Sequence, residues 1–145
     1  MKLYTIGFTG KSAEQFFRLL TENGVKRVLD VRLNNTNQLA GFTKRDDLRF
    51  FLSRVAGIDY LHLPQFAPSE ELLKGYRGHS LDWAKYERGY LTLLADRSAL
   101  AFVDPSVFDS GCLLCSEATP ERCHRRLLAE FVASCVPDVH IMHLQ

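Results

Sequence analysis

The sequence predicts a three-layer α/β domain with a mostly parallel β-sheet flanked by helices. Three observations predict it. Short apolar runs alternate with segments of helical periodicity along the chain. The first run, the helix after it and the second run fit within about 30 residues, the span of a βαβ unit with a right-handed crossover. A later run, Cys112 to Cys115 (CLLC), is apolar without alternation. Such a run marks a strand covered on both faces. At 145 residues the chain makes one domain, 1–145, large enough to bury a core without staples.

Leu3 to Phe8 (LYTIGF) reads as the first strand, with Gly7 and Gly10 punctuating its end. Ser12 caps the first helix, where Phe16, Phe17, Leu19 and Leu20 recur at helical spacing and Asn23-Gly24 ends the run. Arg27 to Leu33 (RVLDVRL) is the second strand. Asn34 to Thr43 is a polar loop. Asp46 to Val55 forms a helix with Leu48, Phe51, Leu52 and Val55 on one face, closed by Gly57. Tyr60 to Leu63 is a third strand halted by Pro64. Ala67 to Leu81 is less regular, and Pro68-Ser69-Glu70 opens a short helix there. Trp83 to Leu94 is a helix with Tyr86, Tyr90, Leu91 and Leu94 inward.

Residues 98 to 110 fit either a strand or a helical extension, because Pro105 and Gly111 interrupt the pattern. Cys112 to Cys115 follows as a buried strand. Pro120 to Cys135 is the strongest helix, with Thr119 as N-cap, Pro120 at the first helical position and Glu121 near the positive end. His140 to Leu144 is the last strand. Strands alternating with helices give a Rossmann-like architecture.

The composition, 46% hydrophobic and 24% charged, is that of an ordinary globular protein. A net charge of +1 makes no global demand for nucleic acid or an acidic partner, though a local basic patch is compatible with it. No apolar run approaches the roughly 20 residues of a spanning helix, so no membrane partner is expected. The N-terminus has no basic stretch followed by an apolar one, which points to the cytoplasm. There the four cysteines are expected as core residues, ligands or reactive thiols rather than disulfides.

In open α/β sheets, ligands bind outside the carboxyl ends of the strands. Those ends are Gly7-Phe8-Thr9, Asp30-Val31-Arg32, His62-Leu63-Pro64 and Cys115-Ser116-Glu117. The most informative pattern there is C-x-E-x-x-P-x-x-C-H-R over residues 115 to 125. Strand alternation puts Cys115 and Glu117 on one face. Helical counting puts His124 on the buried stripe with Leu127, Leu128, Phe131, Val132 and Cys135, flanked by Cys123 and Arg125, with Arg126 toward water. Taken singly, each is an ordinary core or surface residue. Taken together, they make a site at the mouth of the sheet, where a helix N-terminus attracts anions and lowers the pKa of a thiol. Cys115, Glu117, Cys123 and His124 are therefore the catalytic candidates.

A second constellation is Asp30-x-Arg32, with both charges on one strand face. It reads equally as a structural ion pair or as an arginine aimed at phosphate or carboxylate. Thr9, Gly10, Lys11 and Ser12 open the first helix, but lack the spacing of a phosphate-binding glycine loop. Asn34-Asn35-Thr36-Asn37-Gln38 supplies amides, which serve ordinary loops as well as base or sugar readers. The anion-binding candidates are thus Asp30, Arg32, Arg125, Thr9, Asn35 and Gln38. His62 is either a base or a capped structural residue, and Trp83, Tyr86 and Tyr90 are expected in the core. No cofactor is expected. The residue types of Cys112-x2-Cys115-x7-Cys123-His124 suit zinc or iron. Two cysteines three apart in a strand, however, face opposite sides, so no metal ligands are assigned.

Several segments resemble the domain of unknown function 488 family. They are Thr5-Ile6-Gly7, Leu29-Asp30-Val31-Arg32, Tyr60-Leu61-His62-Leu63-Pro64, Leu114-Cys115-Ser116-Glu117, Cys123-His124-Arg125 and His143-Leu144. Asn34-Asn35-x-x-Gln38-Leu39-Ala40-Gly41-Phe42 resembles its N3-type branch. Phe8-Thr9 stands where many relatives carry His-Ser. The resemblance implies an α/β fold and a shared site at Asp30, Arg32, Cys115, Glu117, Cys123, His124 and Arg125. It implies no substrate. The functional expectation is an enzyme acting on a phosphate-bearing substrate, a nucleotide or nucleic acid. The alternatives are a non-catalytic nucleotide or nucleic-acid binding module and a Cys/His metal-binding protein.

Overall fold

In the computed structural model, residues 1–36, 38 and 40–145 are described. Asn37 and Leu39, which the sequence places in the amide-rich and N3-like segment, lie outside the described residues. Five strands form the sheet: β1 (Lys2–Gly7), β2 (Arg27–Asp30), β3 (Asp59–His62), β4 (Gly111–Cys115) and β5 (His140–Leu144). Their order is β3-β2-β4-β1-β5, and every pairing is parallel. The β4 strand lies at the centre, between β1 and β2, which accounts for its unbroken apolar sequence.

Strand alternation divides the core in two. On one face Leu3, Leu29, Val31 and Leu113 pack against α4 (Trp83–Asp96) and α5 (His124–Cys135), through Tyr90, Leu94, Leu127, Leu128 and Val132. On the other, Ile6, Val28, Cys112 and Leu114 pack against Phe16 and Leu20 of α1 (Ala13–Glu22) and Leu48 of α2 (Arg45–Phe51). Each fully buried aliphatic side chain of this kind contributes about 1.5–3 kcal/mol. Ser12 caps α1 in a reciprocal box with Gln15. The Pro68-Ser69-Glu70 signal opens α3 (Glu70–Arg77), with the Ser69 hydroxyl accepting from Leu72 N–H.

Four expectations are revised. The β2 strand ends at Asp30 rather than Leu33, because the Asp30 carboxylate captures the Arg32 backbone N–H at 3.2 Å and turns the chain out of the ladder. The α2 helix passes into a widened π turn over Leu52–Ala56, and Gly57 closes it at φ 66°. The wider turn rotates Val55 out of the buried stripe, leaving it 71% exposed. Residues 99–108 hold two 3₁₀ turns, Ala99–Phe102 and Pro105–Phe108, in place of a strand or helical extension. Most consequentially, α5 starts at His124 with Cys123 as its N-cap, not at Thr119-Pro120. The intervening chain is held as a loop by tertiary partners. Ser116 carbonyl accepts from Thr9 N–H at 3.0 Å, and Glu117 carbonyl accepts from the Arg125 guanidinium at 2.6 Å. Among the described residues, no helix is long and apolar enough to cross a membrane.

Candidate functional site

The central strand delivers Cys115 to the carboxyl edge of the sheet, and the loop after it returns the chain as Cys123-His124-Arg125 at the start of α5. His124 is buried, and its Nε2 lies 2.9 Å from Val31 carbonyl at the end of β2. A carbonyl only accepts, so Nε2 carries the proton and Nδ1 faces the sulfur of Cys115 at 3.4 Å. Tyr90 braces the imidazole edge-on, with centroids 5.5 Å apart. Thiol, imidazole and carbonyl therefore stand in line: a sulfur, a base beside it, and a group that orients the base.

Cys115 is pulled well below the usual thiol range. The hydrogen bond from the Cys123 thiol contributes most, and the His124 charge and the Glu117 backbone N–H add to it against the opposing effect of burial. Cys123 moves the other way, raised by burial and by giving its proton toward Cys115. Burial alone would lower His124, but the adjacent Cys115 charge and hydrogen bond outweigh it and raise it. The three shifts agree on one state: a Cys115 thiolate beside a His124 imidazolium, with Cys123 protonated.

Arg125 has no exposed surface, and no carboxylate pairs with it among the described residues. Its Nη1 donates to Glu117 carbonyl and lies 3.6 Å from Cys123 sulfur, while Nε and Nη2 have no partner among the described residues. Gly7 opposes Cys115 in the β1–β4 register and leaves room for this arrangement. A Cβ at position 7 would collide with Glu117 carbonyl and come within 2.8 Å of Arg125 Nη1.

The β2 end forms a second charged group. Asp30 is fully buried and binds Arg32 in a fork, Nε at 2.8 Å and Nη2 at 2.9 Å. Tyr60 hydroxyl and, at 3.3 Å, Asn35 amide also donate to it. Burial alone would raise the Asp30 pKa, but the Arg32 hydrogen bonds and charge outweigh it and hold it below the ordinary value. Tyr60 is pushed up, by burial first and then by its bond to Asp30. Arg32 is itself 4% exposed, and Phe8 covers its guanidinium at 5.6 Å. Its Nη1 has no partner among the described residues.

Both groups open on one cavity of about 750 Å³. Cys115, Cys123 and His124 form its floor, Phe8, Arg32 and Gln38 one wall, and Tyr76, Arg77, Trp83 and Tyr86 the other, with Arg122 and Glu117 also on its lining. Trp83 stacks on Tyr86 at 5.3 Å, so the second wall presents aromatic surface.

The structure sorts the sequence candidates. Cys115, Glu117, Cys123, His124, Arg32 and Gln38 line the cavity, and Asp30 orients Arg32 from behind. Glu117 is not on a strand face with Cys115, because the strand has ended; its backbone serves the sulfur and the arginine, while its side chain is exposed. Arg125 lies beneath the loop instead of lining the cavity, so its charge acts from below. Asn35 donates to Asp30, also off the cavity. Thr9 lines a separate recess with Lys11 and Ala118. His62 stands opposite Asp30 in the β2–β3 register, off the cavity, and its buried Nε2 has no partner among the described residues. Arg126 is only partly exposed, binding Glu130 at 3.0 Å and reaching the Trp83 ring at 5.9 Å. Tyr90 is in the core as expected, whereas Trp83 and Tyr86 serve both core and cavity.

For a metal, Cys115, Cys123 and His124 bring their ligand atoms within 4.8 Å of one another, and no fourth Cys, His, Asp or Glu joins them among the described residues. Cys112 packs on the opposite face of the sheet, as strand alternation requires. A family model described as "Domain of unknown function DUF488" matches residues 12–132. No curated protein and no solved structure matches the chain.

Proposed function

Because the chain belongs to the DUF488 family, whose description assigns no reaction, we propose a function from the site itself: an enzyme using Cys115 as nucleophile on a phosphate-bearing substrate, a nucleotide or nucleic-acid end. The observation that carries it is the sulfur of Cys115. Three hydrogen-bond donors converge on it at the floor of a cavity that also holds Arg32. A merely structural buried cysteine needs none of them. Arg32 is pre-oriented by Asp30 and keeps Nη1 without a protein partner, which suits an anionic oxygen. The Trp83–Tyr86 surface suits a flat group such as a base. The thiolate attacks the electrophilic centre beside the bound anion. His124 or Glu117 returns a proton to the leaving group.

A binding module would use the same arginines without chemistry. The two readings separate on one variant. Cys115→Ala should abolish turnover of a nucleotide-library substrate while keeping the circular dichroism spectrum and leaving nucleotide binding within a few-fold. Salt-sensitive binding that is unaffected by the variant, with no turnover by the wild type, would favour the module. Metal analysis of protein purified without a nickel column tests the third alternative. One zinc or iron per chain, lost in Cys123→Ala, would replace the nucleophile reading.

A further inference from the structure

We infer that Cys115 and Cys123 form a reversible disulfide within the site, Cys115 being oxidised first by a hydroperoxide and Cys123 closing the bond. The inference rests on the same reactive Cys115 as the proposed function, and adds to it a second chemistry and a named second sulfur.

The placement of the two sulfurs carries the argument. They come from different elements, the end of β4 and the N-cap of α5, yet lie within 4.8 Å with the Cys123 thiol directed at Cys115. A disulfide requires closure to about 2.05 Å, and a χ1 step moves a cysteine sulfur by roughly the remaining distance. Cys123 has that freedom. Its backbone is extended at φ −138°, its side chain caps nothing, and Arg125 Nη1 stands at 3.6 Å. Both sulfurs face the cavity, so a small oxidant reaches them. The other two cysteines do not compete inside the fold. Cys112 is sealed on the opposite face, and Cys135 is exposed at the far end of α5.

The chemistry balances with a hydroperoxide, ROOH, as oxidant. The Cys115 thiolate attacks the terminal oxygen, the O–O bond breaks, and the departing alkoxide takes the proton of the His124 imidazolium. The products are a sulfenic acid on Cys115 and ROH. The Cys123 thiol then attacks the Cys115 sulfur and displaces the hydroxyl as water. Two thiols and one ROOH become one disulfide, one ROH and one water. A disulfide here ties up the nucleophile, so activity stops until a dithiol reductant restores it.

The experiment uses the full chain carrying Cys135→Ser, which removes intermolecular pairing and touches nothing in the site. With equimolar hydrogen peroxide, two thiols should disappear, peptide mapping should join Cys115 to Cys123, and dithiothreitol should restore both. Adding Cys123→Ser, or Cys123→Ala if the serine variant does not fold, should leave a Cys115 sulfenic acid that dimedone traps. Oxidation that stops at Cys115 in the parent, a bond to Cys112, or no thiol loss would overturn the inference. Bound metal shielding both sulfurs would overturn it too. If Cys115 still alkylates rapidly while no disulfide forms, this inference fails alone. If Cys115 resists alkylation as well, the proposed function falls with it.

Discussion

The wall and the floor of the cavity each bury an arginine, and they treat its charge in opposite ways. On the wall, Arg32 meets a carboxylate of its own, Asp30, in a two-point fork. Beneath the floor, Arg125 is more deeply buried and has only a carbonyl and a sulfur to receive its protons. A buried cation with a carboxylate partner is a closed unit, neutral and stiff. One without leaves its surroundings positive and favours negative charge nearby, and its direct neighbour is the Cys123 sulfur, packed against Cys115. The wall is built to hold a guanidinium still, and the floor is built to keep negative charge on sulfur.

This contrast can be broken by removing each unit in turn. Asp30→Ala should have the largest effect, because it strands Arg32 as an uncompensated buried charge. A loss of about 3–5 kcal/mol in urea unfolding is expected. Arg125→Met should cost less, about 1–3 kcal/mol, since it removes a charge as well as the donor to Glu117 carbonyl. If Arg125→Met proves the more damaging, the assignment of rigidity to the wall is wrong. The smallest effect is a pH dependence. The Asp30 pKa is depressed in the fold, so its share of stability is complete above the unfolded value of about 3.9 and is lost as pH falls through the folded one. The wild type should therefore lose more stability than Asp30→Ala on acidification through this window, read as the urea midpoint at each pH.

The same contrast explains what the sequence could and could not reveal. The strands were legible because burial on both faces writes itself as apolar runs, as in CLLC. The strand ends located Cys115, and helical counting placed His124 on the buried stripe. Counting could not tell Arg32 from Arg125, because both fall near the mouth and only three-dimensional packing shows which faces the cavity. Thr119-Pro120 is a sound local helix start, yet Thr9, Arg125 and the Cys115 sulfur together hold that segment as a loop. The aromatic wall was hidden for a different reason. Trp83 and Tyr86 recur at the spacing of any core stripe, and α3, which supplies Tyr76 and Arg77, has no buried residue to mark its inner face. Phe8, read only as a departure from its relatives, turns out to cover Arg32.

The central claim is that the fold maintains Cys115 as a thiolate. Its most direct test is the rate of iodoacetamide labelling of Cys115 against pH, in the Cys135→Ser background. The midpoint should lie well below about 8.5, the value of an unperturbed cysteine, and His124→Gln should move it upward. A wild-type midpoint at or above that value, unmoved by His124→Gln, would contradict the claim.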